Sequence, residues 1–133
     1  FKDIDFLYNN SYEHENKIIV GTRGWSLQET EECKKMINRE NERLKLSLED
    51  AIKNYGIEKE IIVFMHYPPI NSKNILDNTY LEFFKTLKKY NVKTCYYGHL
   101  HSNSHKDAIE GNVEGIEFHL ISADYLDFDL QKI

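Results

Sequence analysis

Two short apolar runs each end in a histidine-bearing turn, and an amphipathic segment separates them. Ile61-Ile62-Val63-Phe64-Met65 leads into His66-Tyr67-Pro68-Pro69, and Thr94-Cys95-Tyr96-Tyr97 leads into Gly98-His99-Leu100-His101. Continuous runs rich in β-branched and aromatic residues read as buried strands. The stretch from Asp77 to Tyr90 between them carries Leu81, Phe84 and Leu87 at helical spacing, with Asp77 or Asn78 as its cap. Strand, helix, strand is a βαβ unit, and its two strands are parallel. The expected fold is α/β, one domain over residues 1–133, with a parallel βαβ core. It places His66, His99 and His101 at the carboxyl ends of neighbouring strands, the edge where open α/β sheets gather ligands.

The flanking segments fill in the rest. Asp5-Phe6-Leu7-Tyr8 and Lys17-Ile18-Ile19-Val20 read as strands, with Ser11 to His14 pairing through a turn at Glu15-Asn16. Ser26 with Glu29 forms the pattern of a capping box and starts a helix that Gly56 ends. Cys33, Ile37, Leu44, Leu48, Ile52 and Tyr55 form its apolar stripe, and the polar patch 38–43 is expected to bend or expose it. After the second histidine turn, Ser102–Ile109 and Ile116–Ser122 read as the arms of a C-terminal β-hairpin. Asp124 to Asp129 alternate like an edge strand, distant from the histidine edge, with charges that blunt aggregation.

The bulk figures exclude several classes. At 133 residues and 41% hydrophobic content the chain can bury a core. A net charge of −5 with scattered Lys and Arg gives no footprint for nucleic acid or an anionic membrane. No apolar run approaches the ~20 residues of a membrane span, and no signal-peptide pattern is present. Cys33 and Cys95 make no CxxC and read as buried reduced thiols, which suggests a cytoplasmic protein. Asn9-Asn10-Ser11 matches a glycosylation acceptor, discounted for want of a secretory context. Lysine outnumbers arginine 14 to 3, as in AT-rich bacterial genomes.

Imidazole suits zinc, iron, nickel and related metals. In extended chain His99 and His101 point the same way, because side chains alternate with period two. Gly98 permits a sharp turn at the strand end, and Pro68-Pro69 stiffens the loop after His66. Two rigid histidine turns at successive strand ends read as part of a metal site.

Together, His66-Tyr67-Pro68-Pro69 and Gly98-His99-Leu100-His101 resemble the last two signature motifs of the calcineurin-like metallophosphoesterases, in order, spacing and strand context. The preceding strand, the Gly21–Trp25 loop and the long helix are similar to the phosphodiesterase members. The resemblance covers most of the chain and implies the C-terminal half of an αββα sandwich. It implies a phosphohydrolase acting on phosphomonoesters or phosphodiesters, with two divalent metal ions drawn from Mn, Fe, Zn or Ni. His66 and His99 would ligate one ion and His101 the other.

The family's earlier motifs, Asp-x-His, Gly-Asp-x-x-Asp and Gly-Asn-His-Asp/Glu, do not occur here. Asp3-Ile4-Asp5 lacks the histidine, and Gly111-Asn112-Val113-Glu114 has valine in its place and comes too late. With a first residue that is Phe and not Met, the chain is read as a fragment of a longer parent. Alone it is expected to be inactive, to hold at most one ion weakly, and to self-associate through the face its missing half would cover. The rival readings are a scaffold domain without strong metal binding and a mononuclear zinc hydrolase with three histidine ligands.

Other residues are weighed individually. Arg23, between two glycines, is the candidate phosphate clamp, since its planar fork matches phosphate geometry. Trp25 reads as packing at a helix start and His119 as a strand histidine. His105 reads as a surface residue, with support of a metal ligand as its alternative role.

Overall fold

The structure is a computed structural model, and it describes residues 2–133. Six strands form one mixed sheet in the order β1-β2-β3-β4-β6-β5. They are β1 (Tyr12–His14), β2 (Lys17–Thr22), β3 (Glu60–Met65), β4 (Thr94–Tyr97), β5 (Gly111–Val113) and β6 (Ile116–Leu120). The inner strands β2, β3, β4 and β6 are mutually parallel, and β1 and β5 are antiparallel edges. The βαβ unit is therefore present, and the α/β class holds. Three α-helices accompany the sheet: α1 (Glu31–Tyr55), α2 (Ser72–Asp77) and α3 (Glu82–Lys89).

Strand alternation sorts the sheet into two faces. Ile18, Val20, Val63, Cys95, Tyr97, Phe118 and Leu120 form one core with Leu44, Leu48 and Ala51 of α1 and Phe83, Phe84 and Leu87 of α3. The opposite face carries Ile62 and a stacked row, Phe64 on Tyr96 at 5.2 Å and Tyr96 on His119 at 5.0 Å. A groove of about 300 Å³ there is bordered by Phe64, Tyr96 and Ile121 and by Leu126, Phe128 and Ile133 of the C-terminal segment. At Gly21 the neighbouring strands β2 and β3 leave no room for a side chain, since a Cβ would stand 2.4 Å from the Phe64 carbonyl oxygen.

Several sequence expectations are corrected. α1 starts at Glu31 with Thr30 as its cap, not at Ser26; the Thr30 hydroxyl accepts from Cys33 N–H at 3.1 Å. Glu29 bonds Lys73 instead of closing a box on Ser26, and Leu27 packs on the core. Gly56 ends the helix as expected, its N–H bonding the Ile52 carbonyl.

The polar patch in α1 is exposed only in part: Asn38, Arg39 and Glu42 face solvent, whereas Glu40 and Asn41 are buried. Glu40 is 1% and Asn41 3% accessible. Glu40 accepts from Thr22 Oγ1 at 3.0 Å and from Arg43 at 2.8 Å, and Asn41 bonds the buried Thr86 hydroxyl at 2.8 Å. Buried polar groups stay tolerable when they find such partners. Asp77 and Asn78 end α2 instead of capping the next helix; Asn78 takes the left-handed conformation, φ 51°, and Asn71 and Asn74 cap α2 reciprocally.

No strand forms over Asp5–Tyr8, where Phe6 and Tyr8 are exposed. Ser102–Asp107 is a 3₁₀ helix, not a hairpin arm. The hairpin is confined to β5 and β6, turning at Glu114 and Gly115, both with positive φ, as two-residue hairpin turns require. Its second arm lies beside β4 in parallel, which adds a third strand end to the histidine edge. The 124–129 segment is a series of turns, not an edge strand. Cys33 and Cys95 are buried free thiols, and burial pushes the Cys95 thiol up. Among the described residues, no helix is long and apolar enough to cross a membrane.

Candidate metal and phosphate site at the carboxyl edge

Each parallel strand hands a chemically active residue to the same edge. β2 ends at Thr22 before Arg23, β3 at Met65 before His66, β4 at Tyr97 before Gly98-His99, and β6 at Leu120 before Ile121-Ser122-Ala123-Asp124. Backbone bonds carry the ladder past the strand ends: Tyr67 N–H to Arg23 C=O at 3.0 Å, Gly98 N–H to His66 C=O at 3.1 Å and Ile121 N–H to Tyr97 C=O at 2.8 Å. The loops that carry these side chains are therefore fastened to one another.

His66 Nε2 and His99 Nδ1 face each other at 3.2 Å, with ring centroids 5.1 Å apart. Tyr67 packs on both rings, 4.9 Å from His66 and 4.2 Å from His99. His99 holds φ 71° at the centre of a three-residue turn closed by Leu100 N–H to Gly98 C=O at 2.9 Å. A non-glycine residue with such a φ carries strain, and tight sites are where it accumulates. The sharp bend thus falls on His99, not on Gly98, where a Cβ would meet nothing closer than 3.8 Å.

That bend overturns the alternation expected for His99 and His101. His101 turns instead to Asp124, Nδ1 to Oδ1 at 2.7 Å. Asp124 Oδ2 accepts from Ser102 N–H at 2.8 Å and lies 3.2 Å from His105 Nε2. Asp124 therefore belongs to the histidine edge, contrary to the sequence expectation. Ser102 N–H first, then the two imidazoles, hold its carboxyl well below the usual carboxylate range. His66 is held below the ordinary histidine value, by partial burial first and then by His99, Arg23 and His101 around it. A neutral imidazole keeps its lone pair available for a cation.

Arg23 is exposed, with its guanidinium 4.8 Å from the Trp25 ring and 5.7 Å from the Tyr67 ring. Among the described residues it forms no ion pair. Trp25 thus has two functions, packing on the core and supporting Arg23. His14 is exposed and His119 stacks on Tyr96, both away from this edge.

The donor set can be tested against a cation. Two imidazole nitrogens each about 2.1 Å from one ion stand about 3.2 Å apart at a ligand angle near 100°. The His66–His99 pair has that spacing, so it fits as two ligands of one ion. Among the described residues, no three His, Cys, Asp or Glu side chains gather about a single point. Sequence reasoning missed Asp124, yet its signal was available: Ser122-Ala123-Asp124 follows the strand-like run Ile116–Ile121 just as His66 follows its own run. Reading that run as a hairpin arm alone, and not as a parallel strand, hid it.

No protein-family profile matches the chain, and no curated protein or solved structure matches it significantly.

Proposed function

We propose that this chain is the C-terminal half of a metal-dependent phosphohydrolase of the calcineurin-like metallophosphoesterase type. The observation that carries the reading is the His66–His99 pair at 3.2 Å on adjacent parallel strand ends, within the two motifs that resemble that family. His66 and His99 would hold one cation and His101 the second. Bound divalent cations would supply Lewis acidity and an activated water for attack on phosphorus. Arg23, stacked on Trp25 and Tyr67 and free of any described carboxylate, would take two phosphate oxygens through its planar fork. The helices cover one sheet face; the Phe64–Tyr96–His119 face would pack on the other half of the sandwich or, without it, on a second copy. Buried reduced Cys33 and Cys95 fit a reducing compartment such as the cytoplasm.

Two observations test the reading. The residues encoded upstream of Phe1 are expected to supply the three motifs missing here. The protein extended to include them is expected to hydrolyse p-nitrophenyl phosphate or its bis-ester with added Mn²⁺, and to lose that activity with His99→Ala. The chain of 133 residues is expected to show no turnover. Upstream residues without those motifs, together with no metal-dependent turnover of either ester, would favour a scaffold domain instead.

A further inference from the structure

We propose that Asp124 is a positioning residue that fixes the tautomer of His101 and thereby makes Nε2 the atom His101 presents at the sheet edge. The ligand role of Nε2 rests on the function proposed above; the tautomer does not.

An ionised carboxylate only accepts hydrogen bonds. Asp124 Oδ1 stands 2.7 Å from His101 Nδ1, so Nδ1 carries the proton there. In the neutral ring Nε2 is then bare. The carboxylate is itself held: Ser102 N–H donates to Oδ2 at 2.8 Å, and His105 Nε2 lies 3.2 Å from the same oxygen. Ser102 reaches this position with φ 50°, so the turn aims its N–H at the carboxylate. The backbone of His101 is fastened as well, its N–H donating to Ser104 Oγ at 2.9 Å and its C=O accepting from that hydroxyl at 2.6 Å. Ring and backbone are both fixed, although the His101 side chain is 58% exposed. An exposed imidazole held this firmly has little to gain for folding. The arrangement is the one in which a ligating histidine donates its other N–H to a carboxylate, which orients the ring and raises its basicity.

The Asp124→Asn variant makes a sharp prediction. Ser102 N–H still requires an acceptor, so the amide oxygen takes the Oδ2 position and the NH₂ faces His101. Nδ1 then accepts, and the proton moves to Nε2. The same amide replacement in a carboxylate–histidine pair is known to impose the wrong tautomer.

The test is long-range ¹H–¹⁵N correlation spectroscopy of the histidines at pH 8. Wild type is expected to show His101 with its proton on Nδ1. Asp124→Asn is expected to invert this and Asp124→Ala to leave a mixture, with His66 and His99 unchanged and the amide spectrum folded. Zn²⁺ titration read at the His101 ring signals is expected to show a 10–100-fold weaker affinity for Asp124→Asn. A proton on Nε2 in the wild type, or a ratio insensitive to Asp124, would overturn the proposal; the wild-type reading needs no variant to fold. Equal Zn²⁺ affinity in wild type and variant would overturn the ligand role of Nε2. Inversion of the tautomer with no Zn²⁺ binding by either protein would support the positioning role while contradicting the metal site proposed above.

Discussion

His66 and His99 stand nitrogen to nitrogen at 3.2 Å, although 33 residues separate them in the chain. Parallel pairing of β3 with β4 puts their strand ends side by side, and the turn at His99 brings its ring round to meet His66. Two neutral imidazoles at this spacing gain one weak hydrogen bond at most, whereas one cation between them would gain two ligands. We therefore expect His99→Ala to reduce divalent-cation affinity by at least 10-fold, read by calorimetric titration with Zn²⁺. The folding midpoint should move little, because both rings are exposed.

Glu40 connects the long helix to the Arg23 loop. Its buried carboxylate holds Thr22 Oγ1 and Arg43, and Thr22 is the last residue of β2 before Arg23. Glu40→Ala should cost on the order of 2–3 kcal/mol, the penalty for leaving buried polar partners unsatisfied. Arg43 is 34% exposed and can turn to water, which keeps the cost below that of a fully buried pair. A lower urea midpoint at unchanged slope would confirm this; a change under 0.5 kcal/mol, the ordinary size for surface substitutions, would contradict it.

Tyr97 contributes to the alkaline limit, together with the Cys95 thiol, which burial also pushes up. The Tyr97 hydroxyl is fully enclosed and bridges both backbone groups of Ile109, accepting from N–H at 2.8 Å and donating to C=O at 2.7 Å. Burial, before any other cause, pushes the phenol well above its ordinary value. The folded state then holds its proton where the unfolded chain has lost it. The associated stability is complete below the unfolded value near pH ~10 and is lost as pH rises above it. Burial likewise raises Tyr90, with its bond to Glu49 next, in the same direction. Tyr97→Phe should cost about 1–3 kcal/mol at neutral pH by stranding the Ile109 groups. It should also flatten the loss above pH ~10, measured as thermal midpoint against pH.

The βαβ unit was readable from the chain because two apolar runs and the amphipathic stretch between them carry distinct periods. The histidine edge followed from that topology alone. The β6 pairing was not readable: Ile116–Ser122 reads equally well as a hairpin arm or a parallel strand, and it is both. Long-range partners decide such cases, and Asp124 was misplaced for that reason. The α1 patch misled for a related cause, since the burial of Glu40 and Asn41 depends on Thr22 and Thr86, which are distant in sequence. At His99 local rules gave the wrong side-chain direction because one residue of positive φ breaks the alternation.

The central claim is that this edge holds divalent cations, and Mn²⁺ tests it with internal controls. Paramagnetic Mn²⁺ broadens nuclei close to it, and the six histidines of the chain fall on different surfaces. Substoichiometric Mn²⁺ added to the ¹⁵N-labelled protein is predicted to broaden the ring signals of His66, His99 and His101 first. His14, exposed near β1, and His119, stacked on Tyr96 within the sheet, should stay sharp at the same metal level. Uniform broadening, or none at the three edge histidines while His14 responds, would contradict the account.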